Sequence, residues 1–234
     1  MSLQNSLLLL LLFKTIFYAS SDVQCDKMSH DSHAIVTLVT GFQSGYAAGA
    51  LALAQSLKNV NSSLPRVVMV TPDVEKEARE RLSLLYHEVL QVSPIPCNHK
   101  LSSDLNPSEY NLEGEKYKAG VARWASTCTK FAAWKLIQYE RVLFMDADTL
   151  VLLPIDDLLL SSSFSNASLA AAPETFPPDT FNSGLMLITP SLDTFEQLLE
   201  VNALTGSAEG IIAIKCKITI FLDLFVNFIL KLLF

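Results

Sequence analysis

Short apolar runs alternate along this chain with longer mixed stretches, a rhythm that predicts strands separated by helices. Residues 34–40, AIVTLVT, read as a first strand buried on both faces. Gly41 and Gly45 bracket a turn, and the alanines and leucines of residues 46–58 suit a packed helix. Residues 66–70 predict a second strand, after which Thr71 and Pro72 offer a cap and a first helical position. That helix is expected to run to about Tyr86, with Leu82 and Leu85 facing inward. Residues 88–92 predict a third strand. Residues 93–121, punctuated by Pro94, Pro96, Pro107, Gly114 and Gly120, have little periodicity and read as a long loop, a lid or an insertion. A helix over 126–139 then places Phe131, Trp134 and Ile137 on one face, read as core, and residues 141–145 form a fourth strand. Residues 169–172 and 185–189 predict two more strands, and 192–202 an amphipathic helix begun by Pro190-Ser191. The alternation implies an α/β fold, a mostly parallel sheet with helices on both faces.

The chemistry gathers at the end of the fourth strand, where Asp146-Ala147-Asp148 stands between apolar flanks. Charge in such surroundings is costly unless paired. On extended backbone the two carboxylates would share a face, and two like charges that close need a cation or a shared proton. Mg²⁺ or Mn²⁺ is the natural partner, because hard divalent ions prefer carboxylate oxygens and keep positions for water and phosphate. The plainer reading is a polar turn capping the strand. The apolar flanks and the position at a strand's carboxyl end, where open α/β sheets bind ligands, favour the metal. Further on, Phe181-Asn182-Ser183-Gly184 reads equally as a simple turn or as neutral hydrogen-bonding groups beside a permissive glycine.

One domain accounts for 234 residues, half of them apolar. The formal net charge of −7 understates the acidity of the middle, because Lys14, Lys215, Lys217 and Lys231 lie in the two ends. No basic footprint for nucleic acid is present, and an anionic substrate would need a local cation. Residues 1–21, with an apolar run at 7–13 and small residues at Ala19 and Ser21, read as a secretory signal peptide, followed by a lead-in over 22–33. An uncleaved anchor is the other reading of that segment. Asn61-Ser62-Ser63 and Asn166-Ala167-Ser168 would be glycosylation acceptors in that compartment, so the expected location is the ER or Golgi lumen or the exterior. Cys25, Cys97, Cys128 and Cys216 have no C-x-x-C spacing; a Cys97–Cys128 disulfide is allowed by the compartment, with inert thiols the expectation.

With these pieces placed, residues 34–210 resemble the glycogenin-like branch of the family-8 glycosyltransferases. The likeness rests on TLVTGFQSGYAAGALALAQSLK, on TKFAAWKLIQYERVLFMDADTLVLLPIDDLL and on FNSGLMLITPS, in that order. It implies a GT-A nucleotide-sugar-binding domain, dependence on Mn²⁺, and retaining transfer of a hexose from a UDP-sugar to a glycan or protein acceptor. UDP-glucose is the implied donor, and a homo-oligomer is compatible with the branch. By the same likeness Asp146 and Asp148 would bind Mn²⁺ and, through it, the donor diphosphate. Thr37, Leu38, Thr40 and Ala147 would line the nucleotide, with Tyr46 stacking on the base. Lys130 would lie near the donor, and Asn182 and Ser183 would hold the donor sugar.

After Gly210 the pattern departs from that branch. Residues 211–234, IIAIKCKITIFLDLFVNFILKLLF, lack the expected G-D-Q-G stretch whose aspartate acts near the reacting carbon. No histidine follows His99 to serve as third metal ligand, and no tyrosine follows Tyr139 to receive sugar. The catalytic residue is therefore unassigned, and a truncated, low-activity form is expected, with self-glucosylation failing. The bias of this tail suggests translated non-coding sequence; the rival is a membrane anchor, disfavoured because a central aspartate costs about 2.5–3.5 kcal/mol. A non-catalytic secreted protein that retains nucleotide-sugar or carbohydrate affinity is the alternative function. A metal-dependent phosphate hydrolase is the weakest reading, lacking a second metal cluster or an activating base.

Overall fold

All six apolar runs form strands. The computed structural model describes residues 32–41, 45–97, 127–160, 167–173, 181–205 and 218–220. Residues 1–21, most of the long loop, Asn166, Gly210 and most of the tail lie outside them. In chain order the elements are β1 (His33–Val39), α1 (Gly45–Asn59), β2 (Arg66–Val70), α2 (Lys76–Leu82), β3 (Glu88–Gln91), a 3-10 helix (Thr127–Lys135), β4 (Arg141–Met145), α3 (Asp156–Leu160), β5 (Leu169–Pro173), β6 (Phe181–Ile188), α4 (Leu192–Thr205) and β7 (Ile218–Ile220).

The strands make one sheet in the order β3-β2-β1-β4-β6-β5-β7. The chain builds outward from β1 through β2 to β3, then returns to lay β4 on the other side of β1, in parallel. The crevice at the carboxyl ends of β1 and β4 is thus the topological switch point, where open α/β sheets bind ligands. Side chains alternate across the sheet. Ala34, Val36, Val142 and Phe144 enter a core covered by the 3-10 helix and α4, through Phe131, Trp134, Leu198 and Val201. Ile35, Leu143 and Met145 face Leu53 and Leu57 of α1 and Leu159 of α3, while Val39, Val68 and Val70 meet Ala50 and Ala54 of α1 and Leu82 of α2. Both faces are covered, as the nearly unbroken apolar runs require.

The sheet is mostly parallel, as expected, and β6 runs antiparallel to both β4 and β5. Only residues 174–180 separate β5 from β6, too few for the crossover that parallel neighbours need. Thr71-Pro72 do not open α2, because residues 71–74 close a turn of their own, the Val74 amide donating to the Thr71 carbonyl at 3.1 Å. The Arg79 guanidinium holds that turn by donating to the carbonyls of Thr71 and Val74. The helix stops at Leu82, and the Tyr86 hydroxyl instead donates to the Ala50 carbonyl of α1 at 2.7 Å. Leu82 is buried as expected; Leu85 only packs against the margin of the core. The helix expected over 126–139 is a 3-10 helix that ends at Lys135, with Cys128 through Trp134 all buried. The chain turns beyond it, so Leu136 takes the buried place and Ile137 is 58% exposed.

Cys97 and Cys128 form a disulfide with their Cα atoms 5.3 Å apart, overturning the expectation of free thiols. Spacing along the chain carried no trace of it, because the packing of residues 95–97 on the 3-10 helix is what brings the sulfurs together. Ile95 N–H donates to Thr129 Oγ1 at 3.0 Å, and Asn202 of α4 donates to the Pro96 carbonyl at 2.9 Å. Within the apolar tail, Ile218–Ile220 adds a short strand parallel to β5. Among the described residues no helix is long and apolar enough to cross a membrane.

One titration follows from β2 and β3. The Arg66 amide donates to His87 Nδ1 at 3.0 Å, a bond that needs the neutral acceptor nitrogen. Burial, and secondarily the Arg66 charge, hold the His87 pKa below its ordinary 6.5. The unfolded chain therefore takes up this proton first, so the stabilisation is present above pH 6.5 and is lost as pH falls below it. Thermal unfolding at pH 7.5 and 5.5 is expected to show a smaller loss for His87→Gln, which does not titrate, than for the parent. Equal losses would remove His87 as the cause.

Candidate functional site

β4 delivers five buried residues to the switch point, and the chain then turns sharply. Thr149 donates both its amide (3.1 Å) and its hydroxyl (2.6 Å) to the Asp146 carbonyl, closing a turn over 146–149. This corrects the extended backbone expected for the two aspartates. Asp146 is half-buried against the sheet, Ala147 is buried, and Asp148 is exposed at the turn. The β4–β6 ladder continues one step past the strand, because the Asp146 amide donates to the Gly184 carbonyl at 2.9 Å.

That step brings the FNSG segment to the aspartates. It lies within β6 and is not a turn. The register against β5 breaks here, Ala171 pairing with Met186 and Ala172 with Asn182. Ser183, Gly184 and Leu185 have no β5 partner in that register, so this part of β6 serves the site. Asn182 is exposed, and its Oδ1 accepts from the Gly184 amide at 2.8 Å. Ser183 is buried, and its Oγ lies 3.1 Å from the Lys130 ammonium. Lys130 comes from the 3-10 helix and is itself 9% exposed. Its ammonium lies 2.8 Å from Asp146 Oδ1 and 3.1 Å from Oδ2. Lys130, Asp146, Asn182 and Ser183, far apart in the chain, thus form one cluster.

On the other side of the turn α1 presses close. A Cβ on Gly49 would stand 2.5 Å from the Ala147 carbonyl oxygen, so no larger residue fits there. Ser56 of α1 also accepts from the Val151 amide at 3.0 Å. Tyr46, at the start of α1, packs against the same apolar cluster as Ala147 and Val39. The predicted nucleotide residues divide by strand parity. Thr37 is buried on the α1 face of β1, Leu38 packs on the opposite core, and Thr40 is half-exposed beyond the strand's end. Thr37 and Leu38 could reach one ligand together only through backbone. Asn61 lies apart, exposed after α1 with φ 57°.

Gly49 escaped the sequence reading, although a glycine inside a helical pattern, less favourable there than alanine, invites a packing explanation. The sequence marks Gly184 only as a permissive glycine, in a turn or beside hydrogen-bonding groups; its role is proximity. A Cβ there would stand 2.8 Å from Asn182 Oδ1 and 2.9 Å from Asp146 Oδ2.

A Rossmann-like sheet with a D-x-D turn at its switch point defines the class, a GT-A glycosyltransferase domain. The chain belongs to glycosyl transferase family 8, whose model matches residues 37–227. Glycogenin-1 of Oryctolagus cuniculus is 39% identical over 177 residues, which are 76% of this chain and 47% of that protein. The chain spans about half the length of the curated relatives it matches. Among solved structures, galactosyltransferase LgtC in complex with donor and acceptor sugar analogs superposes with a TM-score of 0.56 at 13% identity, covering 81% of this chain and 73% of that one. The Mn/GDP form of core-mannan synthase A from Aspergillus fumigatus superposes at 0.53 and 11% identity, covering 84% and 77%.

Proposed function

We propose that the chain is a retaining hexosyltransferase of low activity that moves a sugar, glucose by preference, from a UDP-sugar to a glycan or protein acceptor. The observation that carries this reading is the cluster at the switch point, Asp146 braced by Lys130, which Ser183 holds in turn, with Asp148 on the same turn as Asp146. Likeness to glycogenin-1 supports glucose as the donor.

The donor set fits Mn²⁺. Asp146 and Asp148 are hard oxygen ligands, and Asp146 already grips a cation, the Lys130 ammonium standing in with both carboxylate oxygens engaged. Among the described residues no group of three or more His, Cys, Asp or Glu could hold a metal. Asp146 and Asp148 would hold the ion beside the donor diphosphate, where it would offset the charge gathering on the departing UDP. Asn182 and Ser183 orient the sugar by fixed hydrogen bonds, Tyr46 stacks on the base, and the packed α1 keeps the turn in place.

A lumenal location belongs to the same proposal. The Cys97–Cys128 disulfide and the exposed Asn61 acceptor both suit an oxidising, glycosylating compartment. Calorimetry with UDP tests the donor site. Binding heat is expected with Mn²⁺ present, none with EDTA, and none for Asp146→Asn or Asp148→Asn. UDP binding indifferent to Mn²⁺ and to both substitutions would remove the metal from the reading. Release of UDP from UDP-glucose, compared with UDP-galactose, UDP-xylose and UDP-glucuronic acid, then ranks the donors.

A further inference from the structure

Lys130 is saturated where it stands. Its ammonium has a donor for each of three neighbours: Asp146 Oδ1 at 2.8 Å, Asp146 Oδ2 at 3.1 Å and Ser183 Oγ at 3.1 Å. The Ser183 carbonyl lies at 3.5 Å, and the Phe144 ring centroid at 5.6 Å closes another side. A charge buried this far persists only while paired. Lys130 is thus more than a donor-reaching side chain held nearby. It occupies both oxygens of the carboxylate that a divalent ion would need.

The charge count shows the consequence. Lys130 cancels Asp146, and of the local pair only Asp148 keeps its charge unopposed by the ammonium. A free divalent ion arriving alone must displace the ammonium from Asp146 and leave it buried beside a second cation. The same ion arriving with a nucleoside diphosphate brings anionic oxygens for the displaced ammonium to pair with. We propose that Lys130 is a positioning residue, a resident counter-ion that holds Asp146 against free divalent metal and yields it when metal and diphosphate arrive together. This rests on the reading of Asp146 and Asp148 as metal ligands.

The test reads metal binding without turnover. Free Mn²⁺ is followed by electron paramagnetic resonance during titration of the parent, Lys130→Met, Lys130→Gln and Lys130→Met/Asp146→Asn, with and without UDP. Without nucleotide, both single variants are expected to bind Mn²⁺ at least tenfold more tightly than the parent, and the double variant is expected to lose the gain. With UDP the advantage is expected to vanish or reverse. A merely structural lysine would not raise nucleotide-free affinity when removed. Unchanged or weaker binding by both single variants overturns the proposal. If those variants do not fold, the parent decides: its Lys130 ammonium resonance, observed by ¹⁵N NMR, is expected to move with Mg²⁺–UDP and to stay with Mg²⁺ alone. An equal shift with Mg²⁺ alone overturns the proposal. Absence of Mn²⁺ binding by the parent even with UDP sinks the metal reading itself; binding with UDP but no gain in the variants sinks only the counter-ion role.

Discussion

A Gly184→Ala variant is expected to fold normally and to bind UDP–Mn²⁺ about 100-fold more weakly than the parent, the scale on which small misplacements act in preorganised sites. The added methyl would stand 2.8 Å from Asn182 Oδ1 and 2.9 Å from Asp146 Oδ2, where ordinary contact begins near 3.4 Å. Both oxygens end short side chains, so they can move aside at small cost to stability. That movement is what would damage the site, because one belongs to the carboxylate proposed to bind metal and the other to the residue proposed to hold the donor sugar. The Gly184 carbonyl stays bonded to the Asp146 amide, which keeps the backbone in place, whereas the bond from the Gly184 amide to Asn182 Oδ1 is one that the shift disturbs. Gly45→Ala is the control, since its Cβ would meet nothing within 4 Å among the described residues. Calorimetry with UDP and Mn²⁺, alongside a thermal melt, separates the effects. Parent-like affinity for Gly184→Ala would show that the close approach has no consequence for the site.

Loss of the disulfide has the largest expected effect on stability. Cys97 and Cys128 are 31 residues apart in sequence, and closing a loop of that length restricts the unfolded chain by roughly 3–4 kcal/mol. For a chain of this size the Cys97→Ser/Cys128→Ser variant should melt on the order of 10 °C lower. The bond also bears on the site, because Lys130 lies two residues beyond Cys128 on the same 3-10 helix. The hydrogen bonds from Ile95 to Thr129 and from Asn202 to Pro96 remain in the variant. The helix should therefore loosen without detaching, and UDP affinity should fall by a smaller factor than in Gly184→Ala. Melting the parent with and without a strong reductant gives an independent reading. Coincident melts would show that the bridge adds nothing to stability.

Much of the fold was legible from local pattern. β2 and β4 begin and end where their apolar runs do, and α1 differs from its expected span by one residue at each end. These segments needed no partner to be recognised, because each buries both faces or one periodic face. β6 was harder. Its first half looked like a turn because Asn, Ser and Gly are poor strand formers. They are tolerated there because Ser183 and Gly184 are skipped in the β5 register, Asn182 pairs with Ala172 at its edge, and Ser183 contacts Lys130 instead. The reversed direction of β6 could have been inferred from the shortness of residues 174–180, a signal of connection length rather than of composition.

Ser191 illustrates a cap legible in both ways. Pro190-Ser191 marked the start of α4, and the Thr194 amide does donate to Ser191 Oγ at 3.2 Å. Thr71-Pro72 carried a similar signature and failed, because Arg79, a full helical stretch later, holds the Thr71 carbonyl in a separate turn. The local signal was the same, and a longer-range bond decided between them.

The sequence by itself determined the alternation of strands and helices, the placement of Asp146 and Asp148 at a strand's carboxyl end, and the family to which those motifs belong. Tertiary structure alone decided that Lys130 grips Asp146, that Gly184 and Gly49 make room around the turn, and that Cys97 meets Cys128. The physical reason is that a residue's hydrophobicity and conformational preference are properties of its own position, so pattern reveals where the chain is buried and how it is locally shaped. Which distant group it touches depends on the order in which strands are laid beside one another, and no single segment carries that order.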